Sequence, residues 1–271
     1  MLRRTGVRRF GGRALAGRAE DRRGDATLGE DPSSQGRQQH WVFARLPRPP
    51  RNGSDEQHFS TLALINDGNV AGLAPAWVFE YDTRRGQEGQ PLMVDGVLYV
   101  STAWSKVYAV EAGTGKQIWQ YDPKVPGAAG PKGCCDVVSR GIAYDNGRIF
   151  VATYDGRLAA VDAKTGQEIW NVNTVDQSKP YTITGAPRVA KGKVFIGNAG
   201  AEYSVRGYVT AYDAATGKQV WRFYTVPGEP GKADGEVSDA VLEEKARATW
   251  SGDWWKLGGG GTVWDAIVYD A

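Results

Sequence analysis

The two cysteines of this 271-residue chain, Cys134 and Cys135, are adjacent. Two neighbours cannot make a multi-thiolate zinc site, and a bond between them cannot staple distant parts of the chain. Two readings remain. Consecutive Cα atoms lie about 3.8 Å apart, below the usual disulfide span, so a vicinal bond would remove almost no chain entropy and would serve to shape a surface. Two free thiols filling a core would be the commoner use. Glu111, Asp162 and Asp213 each stand eight residues before a tryptophan. Their fixed place marks turn residues that bond local backbone groups, not paired catalytic acids. Trp119, Trp170 and Trp221 could stack on a flat ligand, but a large aromatic recurring at one position packs unit against unit.

These residues need a scaffold, and the chain repeats itself. Val107-Tyr-Ala-Val-Glu-Ala-Gly-Thr-Gly-Lys-Gln-Ile-Trp119 recurs as Leu158-Ala-Ala-Val-Asp-Ala-Lys-Thr-Gly-Gln-Glu-Ile-Trp170 and as Val209-Thr-Ala-Tyr-Asp-Ala-Ala-Thr-Gly-Lys-Gln-Val-Trp221, at intervals of 51 residues. Each unit reads as an alternating strand, a Thr-Gly turn supplying a left-handed position, and a second strand ending at the tryptophan. A further strand precedes it, as in Gly96-Val-Leu-Tyr-Val-Ser. Strand-only units of about 40–50 residues cannot bury their own faces and stack as propeller blades. The predicted fold class is therefore all-β, a β-propeller. The strand-opening glycine stands 23 residues before the tryptophan in the first two units and 29 before it in the third, the extra residues falling at about 199–204. The second unit carries its excess in the Pro/Gly-rich loop 123–135, which ends in the cysteine pair. Insertions on a blade rim commonly build the site.

The composition, 41% apolar and 24% charged, is that of a soluble globular chain. No run of about 18 apolar residues occurs, which excludes a membrane-spanning helix. Residues 1–51 hold 12 arginines, no lysine and 5 acids, leaving 21 bases against 26 acids in the remainder. The chain divides accordingly into 1–53, an Arg/Gly/Pro-rich tail expected to be disordered and suggestive of a mis-assigned start, and 54–271, a partial propeller. The tail lacks the interleaved aromatics and folded reader of a nucleic-acid-binding arm, so no nucleic-acid partner is predicted. Its arginines also break every apolar stretch that a signal peptide needs.

Four ordered motifs, Gly133-Cys-Cys-Asp-Val-Val-Ser-Arg140, Tyr181-Thr-Ile-Thr-Gly-Ala-Pro-Arg188, Gly197-Asn-Ala-Gly-Ala-Glu-Tyr-Ser-Val-Arg-Gly207 and Gly258-Gly-Gly-Gly-Thr-Val-Trp-Asp265, together with Asp82-Thr-Arg-Arg-Gly-Gln-Glu88, strongly resemble the quinoprotein alcohol dehydrogenases. That family carries pyrroloquinoline quinone (PQQ) and calcium in an eight-bladed propeller, of which about half the blades would be present here. The resemblance implies a Cys134–Cys135 disulfide against one face of the quinone and Trp264 on the other. It implies that Arg140 forks onto a cofactor carboxylate and that Glu88, Thr184 and Thr262 hydrogen-bond its rim. Ala199, Gly200 and Ala201 would line the pocket through backbone groups, and Glu202 would be a Ca²⁺ ligand. The implied reaction oxidises a small primary alcohol to an aldehyde, with calcium polarising a quinone carbonyl, a carboxylate taking the alcohol proton and hydride passing to the quinone. A cytochrome-type electron acceptor and a periplasmic location follow from the same resemblance. Haem c could belong to the full-length parent, but no Cys-x-x-Cys-His occurs in this chain.

The family's catalytic Asp and its further calcium-binding Asn belong to motifs not found up to Ala271, so the chain is expected to be a truncated fragment with an incomplete site. Asp265 and Asp270 are declined as substitutes, the first alternating away from Trp264 along a strand and the second reading as a turn residue. Segment 238–250 has helical composition, with Ser238 as its N-cap. The rival reading is a non-catalytic propeller scaffold of the outer-membrane assembly type, binding protein partners. Its repeats would match, but its site motifs would not.

Overall fold

The computed structural model describes residues 62–264 and 267–269. The tail 1–53, Asp265 and Asp270 lie outside the described residues. Among the described residues twelve strands form three four-stranded antiparallel sheets, each a simple meander and each one blade. Blade one is β1 (Leu92–Val94), β2 (Val97–Ser101), β3 (Val107–Glu111) and β4 (Gln117–Tyr121). Blade two is β5 (Ala143–Asp145), β6 (Arg148–Ala152), β7 (Arg157–Asp162) and β8 (Glu168–Asn173). Blade three is β9 (Arg188–Ala190), β10 (Lys193–Gly197), β11 (Tyr208–Asp213) and β12 (Gln219–Tyr224). Among the described residues no helix is long and apolar enough to cross a membrane.

Strand alternation explains why the blades stack. On β6, Ile149 and Val151 pack against Tyr99, Val107 and Trp119 of blade one. The residues between and after them, Phe150 and Ala152, pack against Ile183, Val194 and Tyr212 on the blade-three side. Successive side chains point to opposite faces, and both faces are dry. A register shift recurs at one place in every blade, at Ala109/Val110, Ala160/Val161 and Ala211/Tyr212. It sets Trp119, Trp170 and Trp221 opposite Ala109, Ala160 and Ala211, the re-aiming that a β-bulge produces.

The tryptophans pack blade to blade, as their spacing predicts. Trp119 donates its Nε1 proton to the carbonyl of Ala163 at 3.0 Å, and Trp170 to that of Ala214 at 3.3 Å. Each ring lies on the Thr-Gly turn of the next blade. A Cβ on Gly166 would meet the Trp119 ring at 2.8 Å, and one on Gly217 the Trp170 ring at 2.7 Å, and both glycines have positive φ. Only glycine suits a position that is both left-handed and roofed by an indole. Trp77, which the repeat alignment missed, does the same to blade one, with its Nε1 on the Ala112 carbonyl at 2.9 Å. Trp221 contacts Phe195 of its own blade. It docks on no further blade among the described residues.

Asp162 and Asp213 cap their turns, each accepting two backbone amides and a threonine hydroxyl. Those bonds, led by Thr165 and Thr216, hold both carboxyls below their ordinary value. Glu111 departs from this reading: among the described residues its carboxylate accepts the Thr114 hydroxyl and no amide.

The equal tryptophan intervals arise from unequal insertions. Blade two is reached through the 21-residue connection 122–142 and blade three through the 14-residue connection 174–187. Blade three makes up the length in the ten-residue loop 198–207 between β10 and β11, where blade two has four residues, 153–156. The segment 238–250 is helical, as its composition predicts, but its winding is mixed. Asp239–Val241 is α-helical, Leu242–Ala246 is wound as a π-helix and Arg247–Thr249 as a 3₁₀ turn. Ser238 stands at the N-cap position without a capping bond. The carboxylate of Asp239 serves the preceding amides of Gly235 and Glu236 instead.

Candidate cofactor-binding site

Three blades each deliver one side chain from the stretch just ahead of their first strand: Glu88 before β1, Arg140 before β5 and Thr184 before β9. The backbone brings these stretches together. The amide of Gln90 donates to the Arg140 carbonyl at 3.4 Å, and that of Arg140 to the Thr184 carbonyl at 2.9 Å. Arg140 then reaches both neighbours, with Nη2 at 3.0 Å from Glu88 Oε2 and Nη1 donating to Thr184 Oγ1 at 2.6 Å. Its guanidinium lies 5.3 Å from the centre of the Trp264 ring, within the range of a cation–π contact. Four of the predicted residues are thus one cluster. Thr184 is buried, whereas the Glu88 side chain and Trp264 are 43% and 47% exposed and present a surface. Behind Trp264 a cavity of about 10 Å³ between Thr184, Asn198 and Trp264 leaves space for no more than one water.

Cys134 and Cys135 form a disulfide between neighbouring residues, with Cα atoms 3.8 Å apart, and both are exposed. The loop that carries them is anchored from beneath. Tyr154 is fully buried, donates to the Gly130 carbonyl at 3.1 Å and lies so close to residue 133 that a Cβ there would stand 2.2 Å from its hydroxyl. Glycine is required immediately ahead of the pair. On the other side Asp136 takes a left-handed backbone, with φ 64°. Its Oδ1 accepts the Val137 amide at 2.8 Å and pairs with Arg85. Arg85 also lies 5.4 Å over the Trp104 ring. The Val137 amide first, then Arg85, hold the Asp136 carboxyl below its ordinary value. Its contribution is therefore present at pH values above about 3.9 and is lost as the pH falls through the lowered value. Arg85, Trp104, Asp136 and Tyr154 were not predicted as site residues, although Asp136 directly follows the cysteine pair and Arg85 belongs to the motif ending at Glu88.

The loop 198–207 approaches from blade three. Ala199 pairs with Thr182, its amide on the Thr182 carbonyl at 2.8 Å, which ties this loop to the stretch carrying Thr184. Gly200 has φ 105° and leads into the 3₁₀ turn Ala201–Tyr203, so the carbonyls of Gly200 and Ala201 are spent within the loop on Tyr203 and Ser204. Glu202 is exposed. Among the described residues no group of three or more His, Cys, Asp or Glu could hold a metal, and Glu202 stands there as a single carboxylate. Thr262 precedes Trp264 by two residues, half-buried, and makes no hydrogen bond among the described residues.

The cluster offers a cationic fork, a hydroxyl and an exposed indole, groups suited to a flat molecule carrying carboxylates, and the disulfide is exposed on the loop that leads to Arg140. A family model described as the glucose/ethanol/alcohol dehydrogenase β-propeller domain, designated PQQ, matches residues 50–270. The chain is 54% identical over 223 residues to the dehydrogenase subunit of alcohol dehydrogenase (quinone) from Komagataeibacter europaeus, which covers 79% of this chain and 30% of the relative. It is similar to the solved quinohemoprotein alcohol dehydrogenase ADHIIG of Pseudomonas putida, with TM-score 0.77 and 48% identity over 83% of this chain and 32% of that one. A europium-containing methanol dehydrogenase aligns with TM-score 0.72 and 39% identity, covering 83% of this chain and 40% of that one. The chain spans about 30% of the length of the curated relative.

Proposed function

Since the chain belongs to the PQQ-type glucose/ethanol/alcohol dehydrogenase β-propeller family, we propose that it is the part of a quinoprotein alcohol dehydrogenase that grips PQQ. The observation that carries this is the convergence of Glu88, Thr184 and Trp264 on the Arg140 guanidinium. When bound, PQQ supplies a quinone that accepts the hydrogen and two electrons leaving a small primary alcohol on its way to an aldehyde.

The chain's own residues hold and shield it. The Cys134–Cys135 disulfide gives one face of the slot and the Trp264 indole the other. Arg140 turns its fork from Glu88 to a carboxylate of the cofactor, while Glu88, Thr184 and Thr262 bond the rim and Ala199, Gly200 and Ala201 line it with backbone. Glu202 offers a hard oxygen donor to Ca²⁺, the remaining donors lying outside the described residues. An exposed disulfide suits an oxidising compartment such as the periplasm, and a cytochrome-type protein is the acceptor that this location supplies.

The test is a titration of the folded chain with PQQ, with and without Ca²⁺, followed by tryptophan fluorescence and by dye-linked ethanol oxidation. Calcium-dependent quenching that saturates at one PQQ per chain is the expected result. Turnover in the same samples would show that this chain also carries the base. A folded chain whose fluorescence ignores PQQ overturns the reading and leaves a non-catalytic propeller.

A further inference from the structure

Two ion pairs join the segment 85–88 to the segment 136–140, and their charges are crossed. Arg85 meets Asp136, and Glu88 meets Arg140 at 3.0 Å. The proposed grip on PQQ uses only the second, and it uses it up: a guanidinium that forks onto a cofactor carboxylate releases Glu88. The ion pair that remains between these segments at the disulfide end is then Arg85–Asp136. We propose that Arg85 and Asp136 are positioning residues that hold the disulfide loop in place when Arg140 changes partner. For the cofactor this rests on the PQQ reading, but the loop they clamp is present without it.

The local geometry supports the assignment. Asp136 is the residue after the pair, and its left-handed backbone (φ 64°) is uncommon for a residue with a side chain. One carboxylate oxygen satisfies both the Val137 amide and Arg85. Arg85 is itself steadied by the Trp104 ring at 5.4 Å, and the amide of Trp104 donates to the Val137 carbonyl at 2.9 Å. Arg85, Trp104, Val137 and Asp136 form a closed circuit around the carboxyl end of the disulfide. Removing the Arg85–Asp136 contact weakens the hold of the 85–88 segment on the loop.

The experiment measures the rate at which a water-soluble phosphine reduces the disulfide in the full chain without PQQ, and separately the PQQ affinity by quenching. Arg85→Met keeps the aliphatic stem on Trp104 and removes the charge, and Asp136→Asn keeps an acceptor for Val137. Arg85→Met is expected to speed reduction about tenfold, the combined worth of a surface ion pair and a cation–π contact, and Asp136→Asn about threefold, the ion pair alone, with the excess shrinking in 1 M salt. Arg85→Lys should restore part of the loss, and the double variant should be no faster than Arg85→Met alone. PQQ affinity should fall in parallel. Unchanged reduction rates in variants with the parent's melting temperature overturn the clamp, as do strictly additive effects. If the parent chain itself fails to bind PQQ, the cofactor reading fails alone and the reduction rates still decide the clamp.

Discussion

A chain with Arg140→Ala is expected to bind PQQ at least about 100-fold more weakly than the parent, because it loses two charge-assisted hydrogen bonds worth about 1.5–3 kcal/mol each. Arg140→Lys should recover only part of this, since an ammonium keeps the charge but cannot fork onto a carboxylate. Folding should suffer little. Glu88, the partner left behind, has a side chain 43% exposed and returns to water, while the buried hydroxyl of Thr184 loses its donor at a cost of about 1 kcal/mol. Fluorescence titration beside a melting curve separates the two quantities. A variant that melts normally and binds PQQ as tightly as the parent would remove Arg140 from the site.

Trp119→Ala should be the most damaging single truncation of the scaffold, at about 3–5 kcal/mol, the cost of emptying an aromatic site in a packed core. Trp119 is 8% exposed, belongs to the core between blades one and two, and bonds Ala163 across that interface. Trp221→Ala removes the same residue from the same repeat position at a half-buried surface whose ring contact is Phe195. It should cost about 1 kcal/mol, the range of partly exposed substitutions. Urea denaturation of the pair measures the difference directly. Equal losses would mean that docking on the next blade contributes nothing and that the ring matters only within its own blade.

The blades were legible in the sequence because their signals are local. A Thr-Gly turn, an alternating strand and a terminal tryptophan lie within 13 residues, and the structure repeats them with the same bulge in each blade. Trp77 escaped because it stands 42 residues ahead of Trp119, off the interval of 51 that two different insertions happen to produce. The site was less legible. Glu88, Arg140 and Thr184 have no common spacing, since each comes from the stretch ahead of a different blade's first strand, and Trp264 reaches them from beyond blade three. Only the likeness of the surrounding motifs to a known family named them. Arg85 and Asp136 were missed for a related reason: an ion pair 51 positions apart leaves no pattern in either segment. The helix expected after Ser238 is present over 239–249 with mixed α, π and 3₁₀ winding, but the hydroxyl expected to cap it is buried with no hydrogen-bond partner among the described residues.

The indole sockets also put the blades in an order in time. Trp77 is sealed by a carbonyl 35 residues later in the chain, and Trp119 and Trp170 by carbonyls 44 residues later. On a ribosome adding about 5–20 residues per second, each of these three tryptophans therefore waits roughly 2–9 s for its cover to be made. Ala112 is made before Trp119 and Ala163 before Trp170, so the growing chain shows at most one of these indole edges bare at a time, and a chaperone that recognises exposed aromatic surface would find a single moving target in place of a scattered set.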